Sequence, residues 1–151
     1  MFTNLFALVL AATAASTASI PRRASEPPSL ADWSVTNFNH GCSPGGCIAA
    51  YNLSAPADYV AGAPGFAVFC TPVYIQNGWK ECEPASAVAD GPAGSRVEAI
   101  WEMGEDQALI YVKAAHIWYE GETRYNATAD TAIEPATTAF VLPVHSLSAV
   151  L

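Results

Sequence analysis

The chain has 151 residues, with 14 acidic side chains against 6 basic ones, a formal net charge of −8 and four cysteines. A chain of this length makes one domain with a real core but not two. The acidic balance disfavours contact with phosphate backbones or anionic lipid headgroups, which argues against nucleic acid and membrane surfaces as partners.

The N-terminus opens on Met1-Phe2-Thr3-Asn4 and an apolar run over 5–12, which continues through small residues to Ala15. Ser16-Thr17-Ala18 then supplies the small side chains that signal peptidase requires, so residues 1–18 read as a signal peptide, though no Lys or Arg precedes the run. The run is well short of the ~20 apolar residues needed to span a bilayer. The pair Arg22-Arg23, followed by Ala24-Ser25-Glu26-Pro27-Pro28, reads as a dibasic processing site in an open arm. Residues 19–31 are thus expected to be propeptide and flexible arm, with a single β domain over 32–151. Losing both arginines leaves four basic residues against 14 acidic ones, a net charge of about −10. The expected location is extracellular.

From Asp32 onward short apolar stretches alternate with Gly, Pro and Asn turns. Trp33, Val35 and Phe38 mark a first strand that ends at Asn39-His40-Gly41. Residues 48–54 form a second, with Tyr51 and Leu53 on one face. Residues 66–70 form a third, introduced by Ala63-Pro64-Gly65, and 79–83 a fourth after the Asn77-Gly78 turn signal. Val97, Ala99, Trp101 and Met103 alternate with Glu98 and Glu102, a half-buried strand interrupted only by Ile100. Gly104-Glu105-Asp106 turns the chain into a second long apolar run over 108–116, which makes a hairpin. Residues 125–129 and 140–144 supply the last strands, and Pro143 points to an edge. No window of helical length keeps a helical period. The fold class is all-β, a compact antiparallel barrel or sandwich of about seven or eight strands.

Cys42, Cys47, Cys70 and Cys82 all lie in the expected domain, and an even count behind a leader reads as two disulfides. Ser43-Pro44-Gly45-Gly46 separates the first two. Pro-Gly fits the centre of a type II turn, which folds the chain so that Cys42 and Cys47 face each other. Closing that loop is worth ~2 kcal/mol, and closing 70 to 82 is worth ~3 kcal/mol. Local bridges 42–47 and 70–82 are favoured, while the crossed pairings remain open on arithmetic. A metal site is not expected: His40 with Cys42 and Cys47 has no second knuckle of matching spacing.

The order Trp33-x-Val35-x-x-Phe38, an apolar strand, Phe69-Cys70, Trp79-x-x-Cys82 and, after a long strand, Ala127-Thr128-Ala129 resembles the Alternaria major-allergen family of small secreted ascomycete proteins. The Phe-Cys…Trp-x-x-Cys element is similar to that family's internal disulfide loop, which supports the 70–82 bridge. Gly41-Cys42-Ser43-Pro44-Gly45-Gly46-Cys47 resembles an element of related fungal proteins, some of them elicitors of plant cell death or defence. The likeness spans roughly residues 33–129. It implies a compact disulfide-stapled β-barrel that binds a host protein or a small apolar or aromatic ligand without catalysis or cofactor. The family's C-terminal disulfide and dimer-forming cysteine are missing here, so a covalent dimer is not implied.

A hydrolase directed at cell-wall polymer is the alternative from another class. It would draw on His40, His116 or His145, for example His116 with Ser43 or Ser54 and a carboxylate, but no Gly-x-Ser-x-Gly elbow is present. Glu98 and Glu102 share a strand face, and Glu120 and Glu122 lie beyond the next strand. Glutamates alternating with apolar residues more commonly mark a solvated sheet face than a pair flanking a sugar cleft. A structural cell-wall protein is a third reading. Among the aromatics, Trp33 and Trp101 are expected in the core; Tyr111, Trp118 and Tyr119 share their hairpin, and Trp79 flanks the stapled half. Two sequons, Asn52-Leu53-Ser54 and Asn126-Ala127-Thr128, are candidate glycosylation sites, and alternation along the strand turns Asn52 outward if Tyr51 and Leu53 face in.

Overall fold

The computed structural model describes residues 30–74, 78–85 and 94–151. The leader, the dibasic site and residues 24–29 of the arm lie outside the described residues.

All regular structure in the described chain is strand. Chain order gives β1 (Trp33–Ser43), β2 (Gly46–Ala55), β3 (Phe66–Cys70), β4 (Val73–Tyr74), β5 (Lys80–Glu81), β6 (Glu83–Pro84), β7 (Arg96–Met103), β8 (Ile110–Glu120), β9 (Thr123–Ile133), β10 (Phe140–Leu142) and β11 (Val144–Val150). The first sheet runs β10-β1-β2-β3-β6, with β4 beside β2; the second runs β11-β9-β8-β7-β5. Every pairing is antiparallel. The result is a sandwich and not the closed barrel that the resemblance implies.

No described strand of one sheet pairs with a strand of the other, and the chain passes between the sheets five times, two of these passages being tight corners. At the first, β5 pairs with β7 and the Cys82 N–H donates to the Val97 carbonyl at 2.8 Å. One residue later β6 pairs with β3. The single strand expected over 79–83 is therefore two fragments on different sheets, bent at a buried Cys82. A disulfide from Cys82 to Cys70 holds the bend against the end of β3. At the second corner Pro143 separates β10 from β11. Having no N–H, it interrupts one ladder and lets the chain start another, which is the edge role read from the sequence.

Irregularities inside strands decide which side chains face inward. Between Thr36 and Asn39 the register of β1 on β2 shifts, and Asn37 takes a left-handed φ of 54°. This bulge converts the spacing Trp33, Val35, Phe38 into one continuous inward face. At the β1–β2 turn the structure departs from the type II expectation: the positive φ, 137°, falls on Gly46 and not on Gly45. Proline at the first central position suits type I equally, and the glycine after the turn then realigns the strands. Cys42 and Cys47 lie opposite each other there and are bridged. The hairpin turn after β7 is longer than expected. Gly104 donates to Leu109 and Gln107 to Gly104, Gln107 is left-handed, and β8 begins only at Ile110.

The second sheet presents its inner face as cross-strand rows. Trp101 and Val112 make one row; Ala99, Ala114 and Ala129 the next; Val97, His116 and Ala127 a third; Trp118 and Tyr125 a fourth. The alanine row is the thin middle of the sheet. The first sheet contributes fully buried Trp33, Tyr51 and Leu53 to the same core, which combines large and small residues as close packing requires. One end is closed by the β2–β3 loop, where Tyr59, Val60 and Ala63 are buried. Asp58 N–H donates to the Ala63 carbonyl and Ala63 N–H to Val60. Gly65 lets the two legs touch, since a Cβ there would stand 2.7 Å from the Ala57 nitrogen.

Both bridges are expected to stabilise the fold, the corner bridge more. Replacing Cys70 and Cys82 together by Ala should lower unfolding free energy by ~3 kcal/mol, against ~2 kcal/mol for the Cys42 and Cys47 pair, as read from denaturant unfolding.

Candidate functional site

Pro72 follows β3 and is buried. Its carbonyl accepts two hydrogen bonds, from the Ala49 N–H at 3.1 Å and from Trp101 Nε1–H at 3.0 Å. The first ties it to β2; the second reaches across to β7 and fixes the indole. Two residues on, Tyr74 is held on β4 opposite Cys47. Its ring lies 5.8 Å from that of Trp101, and His40 approaches Trp101 at 5.8 Å.

Because β5 pairs only with Glu98 and Ala99, the rest of β7 runs on without it. Beside that stretch opens a cleft of about 320 Å³, lined by Val73, Tyr74, Gly78, Ile100, Trp101, Glu102 and Met103. The volume falls at the small end of ligand sites, and the cleft is half-open to solvent, with aromatic and aliphatic walls and one rim carboxylate. Trp101 is almost wholly buried and forms the floor, while Glu102 is exposed. The arrangement accommodates an aromatic or aliphatic group, with a donor or positive charge directed at Glu102.

A second polar centre lies at the opposite end of the core. His116 is 2% exposed and shares a 2.9 Å hydrogen bond through Nδ1 with the Tyr59 hydroxyl. Phe66, Trp118 and Tyr59 surround it, with ring centroids at 4.6, 5.0 and 5.9 Å. Burial among these rings pushes the imidazole down to about 4 and the Tyr59 phenol well up. Trp33 Nε1, Trp118 Nε1 and the Tyr51 hydroxyl are buried without a hydrogen-bond partner among the described residues.

The residues singled out from sequence are spread over the molecule. His116 meets Tyr59, not Ser43 or Ser54; Ser43 is at the β1–β2 turn, its Oγ bonded to Gly45 and Gly46 backbone. His40 Nε2 lies 3.2 Å from the Pro135 carbonyl, and His145 Nε2 3.1 Å from that of Asp130. Glu98 Oε1 accepts from Arg96 Nε at 2.6 Å, and that bond holds the guanidinium above its ordinary range. Glu120 ends β8, and Glu122 follows in the turn. Trp118 is core and stacks on Tyr125, whereas Trp79 and Tyr111 are exposed at 45% and 41%. Tyr111 therefore faces out, on the side of β8 opposite Val112, and does not share the Trp101 interior.

Asn52 is half-buried on the outer face of β2, between inward Tyr51 and Leu53. Asn126 lies on the outer face of β9. Among the described residues no group of three or more His, Cys, Asp or Glu is placed to hold a metal ion, and no helix is long and apolar enough to cross a membrane. The sequence reading missed Tyr59, Pro72 and Tyr74. For Tyr59 a signal was present: Asp58 and Gly62 bracket it, and the Gly62 N–H donates to Asp58 Oδ1, the mark of a structured loop. Comparison with protein-family models, characterised proteins and solved structures finds no match.

A neutral buried imidazole makes stability depend on pH. The unfolded chain binds a proton near pH 6.5 that the folded chain accepts only at about 4. Folding free energy from this group is thus full above pH 6.5 and lost as pH falls towards 4, by up to ~1.4 kcal/mol per pH unit. Urea unfolding between pH 7 and 4 should show this slope, and His116→Gln, which keeps a partner for Tyr59, should remove that part of it.

Proposed function

We propose that the chain is a secreted binding protein of the effector, elicitor or allergen-like type, acting without catalysis through the cleft between Tyr74 and Trp101. The observation that carries this reading is the cleft itself. An indole fixed by the Pro72 carbonyl makes a rigid floor, and a preformed site avoids the ordering cost that weakens binding on mobile surfaces. Passage through an oxidising compartment is supported by two intramolecular bridges and no free cysteine among the described residues. The apolar leader and the order of Trp, Phe-Cys and Trp-x-x-Cys elements support the same reading. The occupant is an aromatic or aliphatic group, from a small molecule or from a side chain of a host protein.

Heteronuclear NMR titration of the oxidised protein with small aromatic amines should shift the Trp101 indole N–H. Tyr74→Ala should weaken that binding about tenfold, equivalent to ~1.4 kcal/mol. Infiltration of the same protein into leaf tissue should provoke a defence response that Tyr74→Ala reduces. An unmoved Trp101 signal across the series, together with leaf tissue that does not respond, would overturn the reading.

A further inference from the structure

Around Asn52 the outer face of the first sheet carries small and polar side chains and one aromatic ring, with the exposed aliphatics Ile48 and Val141 farther out on the same face. Asn52 stands on β2 with Thr36 of β1 on one side and Phe69 of β3 on the other, each in direct register. Tyr51 and Leu53 are both fully buried, so the intervening carboxamide is directed to the outside. Phe69 is 39% exposed, and Ser54, the hydroxyl residue of the sequon, is exposed as well. A single exposed phenylalanine carries no inference by itself. Its position does: residues directly opposite in an antiparallel pair have Cβ atoms ~5 Å apart, within reach of one sugar ring.

We propose that Asn52 carries an N-linked glycan whose first sugar lies on the Phe69 ring, and that Asn126 is left unmodified. This rests on the secretion reading above, since the transfer takes place in the secretory pathway. The co-reactant is an oligosaccharide linked through its anomeric carbon to a lipid diphosphate. A bond forms between Asn52 Nδ2 and that carbon, the carbon–oxygen bond to the diphosphate breaks, Nδ2 gives up one proton, and the lipid diphosphate leaves; nothing is oxidised or reduced. The axial C–H bonds of the first sugar then cover an aromatic face that otherwise meets water.

Asn126 has different surroundings. Its Oδ1 is buried with no hydrogen-bond partner among the described residues, and its cross-strand neighbours are Ile117, 3% exposed, and Ser148. The hydroxyl of its sequon, on Thr128, is hydrogen-bonded to Ser146 Oγ. Asn126, half-buried like Asn52, has its carboxamide oxygen covered and is flanked by an aliphatic side chain and a hydroxyl where Asn52 has the half-open ring of Phe69.

The test is secretion of the full chain from eukaryotic cells, with its own N-terminus and, in parallel, behind a heterologous leader, followed by glycopeptide mapping. Occupancy at Asn52 with none at Asn126 is expected. If only the heterologous leader delivers protein and Asn52 is occupied, the assignment stands and the secretion reading falls. An empty Asn52, or sugar on Asn126, overturns the assignment. The platform is tested on protein trimmed to one sugar, by comparing thermal midpoints of wild type, Ser54→Ala, Phe69→Ser and the double variant. Loss of the sugar through Ser54→Ala should lower the midpoint by roughly 2–4 °C when Phe69 is present and by less than 1 °C when it is replaced. Equal shifts in both backgrounds would overturn the role of Phe69.

Discussion

The bend at Cys82 is the constraint on which the rest of the molecule depends. Within five residues the chain belongs first to one sheet and then to the other, and the disulfide to Cys70 joins that bend to β3. The corner fixes how far apart the two sheets stand at this edge. It also limits how far β5 can follow β7, and so leaves Ile100 to Met103 beside the Tyr74–Trp101 cleft. The Pro72 carbonyl complements this from within, since one oxygen bonds the backbone of β2 and the indole of β7. A covalent tie and a shared acceptor thus act within a few residues of each other on the same side of the sandwich.

Between the corners the core is graded by size. Aromatic networks occupy the two ends: Trp33, Tyr59, Phe66, His116 and Trp118 at one, Phe38, Tyr51, Phe140, Tyr74 and Trp101 at the other. The alanines of β7, β8 and β9 fill the middle. The ends therefore depend on large side chains keeping their size, and the middle on small ones staying small. His116 is the polar exception. Its neutrality is enforced by neighbours that offer an imidazolium one hydroxyl and otherwise hydrocarbon.

Much of this was legible in the chain. Alternation of Val97, Ala99 and Trp101 against Glu98 and Glu102 defined an inward face correctly, because a half-buried strand has a strict period of two. The spacing Trp33, Val35, Phe38 was readable as strand, though its odd step needed the Asn37 bulge to make sense. The change of sheet at Cys82 was not legible, since two-residue pairings leave no periodic trace. The cleft was hidden for a related reason: it joins residues of β4 with residues of β7, and neither segment carries a local sign of the other. The orientation of Tyr111 was not legible, since Ile110, Tyr111 and Val112 are all apolar and only the middle one is exposed. In β8 consecutive residues Ala114 to Trp118 are all buried, so hydrophobicity there does not reveal which alternate residues face the core.

Turning two corners also changes what the molecule shows to its neighbours. Several of its sheet edges are formed by β4, β5, β6 and β10, pieces of two or three residues that are too short to template another strand. The β11 edge is seven residues long and leaves Leu147 and Val150 exposed at 40% and 60%. In crowded solution, edge-to-edge pairing can begin at β11 or along the stretch of β7 that β5 leaves uncovered. A lysine or proline substituted on the outward side of β11 would act on that liability without touching either the stapled corner or the cleft.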